Sequence, residues 1–85
     1  MNIEDSRKAV YTAIEFYKSL LPSELTNSIM LESIKRTDDM KYYDITLSRI
    51  KKNFTFNFNE ERHYSTFIID AKDFALISMG MLDDK

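Results

Sequence analysis

Cysteine and tryptophan are absent from this 85-residue chain, and glycine, proline and histidine occur once each. Without cysteine there is no disulfide, no thiolate nucleophile and no cysteine-based metal or cluster site, a composition that fits a reducing compartment. A single glycine, Gly80, leaves no phosphate-cradling Gly-rich loop and no G-x-S-x-G elbow to expose a nucleophilic serine. One histidine, His63, has no second imidazole to complete a metal site and no evident partner to orient it as a base, so it reads as a structural or surface residue. No stretch approaches the roughly 20 apolar residues that cross a bilayer. The opening residues Met1-Asn2-Ile3-Glu4-Asp5 are acidic where a secretory leader is basic, and the expected location is cytoplasmic. A net charge of −2 provides no overall positive field for nucleic acid.

What remains is an ordinary globular composition, 44% hydrophobic and 31% charged, in a chain long enough for one domain with a thin core. Residues 6–21 carry helical periodicity: Ile3, Val10, Ala13, Ile14, Tyr17 and Leu21 recur at steps of three and four. Asp5 or Ser6 is the expected N-cap, and Pro22 the expected stop. After Pro22 the chain reads as strand, apart from one helical turn expected near Ser23-Glu24-Leu25.

Strands are expected at about 29–36, 41–50, 62–70 and 75–82. In the second, Tyr43, Ile45 and Leu47 alternate with Tyr42, Asp44, Thr46 and Ser48, placing an apolar row toward the helix and a polar row away from it. In the third, Tyr64, Thr66 and Ile68 alternate with Ser65, Phe67 and Ile69. The first strand alternates imperfectly, which predicts a bulge or two-sided burial. The last is expected to present Ile77, Met79 and Met81 as one row, with Leu76 and Ser78 on the other side. Residues 37–40 and 71–74 are turns by composition. The predicted fold is α+β, a single domain over 1–85 in which one N-terminal helix packs on one face of a three- to four-stranded antiparallel meander.

The segments Leu31-Glu32-Ser33-Ile34, Asp38 to Ser48, Arg62 to Asp70 and Ile77-Ser78-Met79 together resemble small bacterial α+β proteins of PepSY-like or half-cystatin layout. In that layout one helix crosses a curved antiparallel sheet, and glycines occupy the turns between the first two strands and after the penultimate one. Here Met40 and Phe74 stand near those places. The resemblance implies a binding or inhibitory module and transfers no catalytic residue.

Asp38-Asp39 and Asp83-Asp84 lack the regular oxygen ligands and sharp-turn glycine of a calcium loop, and read as a solvated turn and tail. No cofactor is expected. Lys35-Arg36, Arg49 and Lys51-Lys52, with Tyr42 or Phe54, make single-stranded nucleic acid an alternative ligand. A small-ligand or enzymatic cone between helix and sheet is another alternative, with Tyr17 the evident polar group facing it. Asn53-Phe54-Thr55 matches a glycosylation acceptor but has no export signal to give it meaning.

Phe54, Phe56 and Phe58 form the strongest candidate feature, an alternating aromatic row read either as core or as a projecting interface. With Tyr42 and Tyr64 on an uncovered sheet face, they point to a non-catalytic protein-binding module. An inhibitor, an immunity-type partner or a small subunit of a complex would fit, bound to another protein or to a second copy of the chain.

Overall fold

A computed structural model describes residues 3–50 and 62–82. Helix α1 (Ile3–Ser19) is followed by a single turn, α2 (Ser23–Thr26), and by strands β1 (Met30–Arg36), β2 (Tyr42–Ile50), β3 (Arg62–Asp70) and β4 (Leu76–Leu82). The strands form one antiparallel sheet in the order β1-β2-β3-β4, with α1 packed on one face, as the sequence predicts. Phe54, Phe56, Phe58, Lys51, Lys52, Asp83 and Asp84 lie outside the described residues.

The helix starts and stops earlier than its periodicity suggests. Glu4 and Asp5 occupy its first turn, where they favour the positive end of the dipole, so Asp5 and Ser6 are inside the helix and do not cap it. At the other end Leu20 N–H donates to the Tyr17 carbonyl at 3.0 Å, a tightened three-residue closure. Pro22 disfavours helical geometry at Leu21, and the regular ladder is lost two residues before it.

Ala9, Ala13 and Tyr17, spaced by four, are the buried centre of α1, while Val10, Ile14 and Leu21 pack partly against the core. Ala9 was not in the expected stripe, and Ile3, which was, is 70% exposed. Two alanines over the sheet let the helix approach closely, and bulk is supplied from below. Tyr43, Ile45 and Leu47 of β2 and Phe67 and Ile69 of β3 are completely buried. At about 1.5 to 3 kcal/mol for each large apolar side chain, this row is the main source of stability. Tyr17 meets the Phe67 ring edge-on at 5.3 Å, and Phe16 meets it at 6.4 Å.

Both edge strands are irregular. A bulge between Leu31 and Ser33 turns Leu31 and Ile34 to the helix side, opposite Leu47 and Ile45, and leaves Glu32 as the extra residue. A second irregularity at the β3–β4 pairing sets Leu76 opposite Ile69 and Met79 opposite Phe67. The expected row is therefore broken. Leu76 and Met79 pack on the core, and Ile77 is exposed, because the inserted residue shifts the alternation by one.

The turns are held by their aspartates. The Asp39 carboxylate accepts from Thr37 Oγ1 at 2.6 Å and from Lys41 N–H at 3.0 Å, while that of Asp70 accepts from the amides of Lys72 and Asp73. These bonds hold the Asp39 carboxyl below its ordinary range, with the Thr37 hydroxyl the main cause. Met40 and Phe74 have φ of 62° and 61°, the left-handed conformation that glycine adopts most easily. Ala71 N–H donates to the Lys41 carbonyl at 2.9 Å and ties the two turns together.

Candidate contact surface

The row of α1 that faces β1 is more apolar than β1 is able to cover. Val10 and Ile14 come from the helix and Leu31 and Ile34 from the strand, where the bulge at Glu32 sets Leu31 and Ile34 three residues apart on the helix side. The result is a groove of about 420 Å³ lined by Ile3, Val10, Tyr11, Ile14, Leu31 and Ile34, with Ser6 and Arg7 at its rim. Tyr11 is 65% and Leu31 45% exposed, so the groove opens to solvent along its length. Its floor is almost wholly hydrocarbon. Beside it runs the outer edge of β1, which among the described residues pairs with β2 alone.

A second cleft, of about 410 Å³, lies at the turn end of the sheet between Arg36, Met40, Tyr42, Asp70 and Lys72. Its character differs. Charges of both signs line it, and the Arg36 guanidinium is engaged, lying over the Tyr43 ring at 4.8 Å and donating to the Met40 carbonyl at 2.6 Å. Arg36 Nε and the Tyr43 hydroxyl are buried beside this stack without a hydrogen-bond partner.

On the face away from α1, Ser48 is fully buried. Its hydroxyl donates to a Glu32 carboxylate oxygen at 2.6 Å and accepts from Arg62 Nε at 2.8 Å. Arg62 also donates to the Ser28 carbonyl, and Ser28 Oγ accepts from Ile50 N–H at 3.0 Å. The network is a clasp that holds the bulged residue of β1 to β2 and β3.

Tyr42 and Tyr64 share the open face, both half-buried. The structure does not bring them together: Tyr42 is opposite Asp70 and Tyr64 opposite Ser48, six residues along β2, which is roughly 20 Å at 3.3 Å per residue. Between them stand Asp44, Thr46, Thr66 and Ile68. His63 is opposite Arg49, and among the described residues no group of three His, Asp or Glu is placed to hold a metal ion. Arg49 donates to the neighbouring Ile50 carbonyl at 3.2 Å. With Lys35 on the open face and Arg36 turned to the helix side, the described cations form no continuous basic track. Tyr17, the polar group expected beneath the helix, accepts from Ser65 Oγ at 3.4 Å within a closed interior.

The groove was missed by sequence reasoning because its two walls are some 20 residues apart and each looks like ordinary core. The available signal was the surplus of apolar residues on α1, wider than one buried stripe requires. No described helix is long and apolar enough to cross a membrane. No family model, curated protein or solved structure matches the chain.

Proposed function

We infer that this chain works by contact, as a small non-catalytic module that binds another protein through the groove between α1 and β1 and the adjoining strand edge. The observation that carries this reading is the groove itself, an open hydrocarbon trough beside a strand that, among the described residues, pairs along one side. Isolated apolar side chains on a surface need no explanation, but a contiguous set around a concavity marks a binding site. A partner segment in extended form would gain main-chain hydrogen bonds along β1 and place alternate side chains over Leu31 and Ile34, the strand-addition mode of recognition. The resemblance to inhibitory and binding modules of PepSY-like or half-cystatin layout supports the same conclusion. An inhibitor, an immunity-type partner and a small subunit all act in this way. On the open face Tyr42 and Tyr64 offer smaller, separate contacts.

The test is capture of a partner from the source cell with the wild-type chain and with Tyr11→Ser/Leu31→Ser as paired baits. Tyr11 is mostly exposed, Leu31 nearly half so, and neither belongs to the buried core, so the double variant should keep its fold, as checked by thermal melting. The expected result is a protein held by the wild type and lost from the variant. Equal retention by both would move the contact elsewhere, and binding of apolar small molecules with no protein captured would assign the groove to a ligand.

A further inference from the structure

The cleft at the turn end of the sheet carries an imbalance of charge that its own contacts leave unmet. Arg36, Lys41 and Lys72 line it and Asp70 is the one carboxylate among them, in a chain whose net charge is −2. None of the three cations forms an ion pair among the described residues. The acidic groups at hand are committed to the turns. Asp70 Oδ1 accepts from the Lys72 and Asp73 amides at 2.7 and 3.2 Å, and Asp39, which feels the Lys41 charge, accepts from Thr37 Oγ1 and from the Lys41 amide.

Arg36 gives the cleft a fixed donor. Its guanidinium is laid on the Tyr43 ring at 4.8 Å and anchored through Nη2 to the Met40 carbonyl, a bond that uses one of its five N–H groups. Nε is buried with no acceptor, and buried donors in folded proteins are nearly always paired, with protein, water or a bound ion. Lys41 and Lys72, one from each turn, are exposed, and the backbone bond from Ala71 N–H to the Lys41 carbonyl holds the two turns together. A planar fork held still beside two ammonium groups on long stems suits a tetrahedral oxyanion: the fork donates to its oxygens in pairs, and the ammonium groups neutralise the remaining charge. Three cations against one carboxylate match a dianion better than a single carboxylate ligand.

The cleft is also out of reach of the longest stretch outside the described residues. Residues 51–61 leave the sheet at Ile50 and rejoin it at Arg62, which are paired; the cleft lies at the Tyr42–Asp70 pair, eight residues along β2, roughly 26 Å at 3.3 Å per residue. The middle of that stretch is six residues from either anchor, at most about 20 Å of extended chain.

We propose that the cleft between the 37–40 and 71–74 turns is a binding site for a phosphate monoester, held by Arg36, Lys41 and Lys72. It shares no lining residue with the groove between α1 and β1 and is a second, independent site.

The experiment follows backbone amide signals of the full chain by nuclear magnetic resonance at constant ionic strength and pH 8. The probes are inorganic phosphate, O-phosphoserine, a short phosphoserine peptide and acetate, added to the wild type and to Lys41→Gln/Lys72→Gln. Both lysine side chains are exposed, and a melt verifies that the variant is folded. Phosphoserine is expected to move the amides of Lys41, Tyr42, Ala71 and Lys72 saturably, with a Kd of about 1 mM or tighter, and the double variant should weaken it roughly ten-fold or more. Tighter binding of the peptide than of inorganic phosphate and free phosphoserine supports the site with the phosphate carried on a protein; equal binding of all three supports it with a small phosphate ester. Acetate binding as well as phosphoserine, a response that does not saturate, or a double variant that binds as the wild type does would each overturn the proposal. Failure here leaves Tyr11, Leu31 and the contact reading of the groove untouched, and loss of that reading leaves this site standing.

Discussion

The two faces of this sheet are built from the same strands and do opposite work. Toward α1 stand Tyr43, Ile45, Leu47, Phe67 and Ile69, all sealed from water, while the alternate residues Tyr42, Asp44, Thr46, Tyr64, Thr66 and Ile68 are each half-buried. The sealed apolar side chains stand on the helix side, while the other side carries threonines and an aspartate between its tyrosines, with Ser48 the one fully buried residue described there. Part of the apolar surface left over lies at the seam where α1 overhangs β1, around Ile3, Tyr11 and Leu31, and under the proposed contact function this seam is where a partner would gain most from burial.

The largest effect expected from this contrast comes from removing one side chain on each face. Phe67→Ala should cost about 3 to 5 kcal/mol in chemical denaturation, since it leaves a cavity beneath Phe16 and Tyr17. Thr46→Ala, one strand over on the open face, should stay within about 0.5 kcal/mol. Comparable losses at the two positions would mean that something also packs on the open face.

The turns sharpen the comparison at smaller magnitude. Met40 and Phe74 share a left-handed backbone, which costs a side chain about 1 to 2 kcal/mol relative to the right-handed region. Met40 is 56% exposed, so Met40→Gly should stabilise the fold by up to about 1 kcal/mol after the entropy of glycine is charged. Phe74 packs on the core with the Lys8 ammonium 5.6 Å from its ring, so Phe74→Gly should be destabilising despite relieving the same backbone. Equal responses in thermal melts would show that backbone geometry alone decides both turns.

Within the covered face the two tyrosines should behave differently. The Tyr43 hydroxyl is buried with no partner, and Tyr43→Phe should leave stability unchanged or raise it by about 1 kcal/mol. Tyr17→Phe removes an acceptor from Ser65 and should lower stability by about 0.5 to 1 kcal/mol. The smallest effect is the pH dependence of the Asp39 turn. Because its folded carboxyl titrates below the ordinary range, its contribution is complete above that range and disappears as pH falls through the lowered folded value. The difference in melting temperature between wild type and Asp39→Asn should therefore shrink on acidification, and a difference that widens would reverse the assignment.

Much of this architecture is legible in the residues themselves. The period of two in β2 and β3 is uninterrupted, so their faces, their pairing and their place under the helix follow directly. The edge strands resist the same reading because one inserted residue in each exchanges the faces: Leu76 and Ile77 trade roles, and Leu31 joins Ile34. Ala9 escaped notice because a methyl group contributes little to a hydrophobic pattern, yet at the closest approach of helix and sheet a small side chain is what fits. Tyr42 and Tyr64 were placed on the correct face, but their separation depends on register, which sequence leaves open. The groove is a property of two distant segments and of a bulge, and no local pattern announces it.

Amide hydrogen exchange, read residue by residue with and without the captured partner, tests the central claim most directly. The account predicts new protection at Ser33–Arg36 of β1 and reduced solvent access along the Ile3, Val10, Tyr11 and Ile14 side of α1, with β4 and the open face unchanged. Protection that falls instead on Leu76–Leu82, or on Thr46, Thr66 and Ile68, would contradict it.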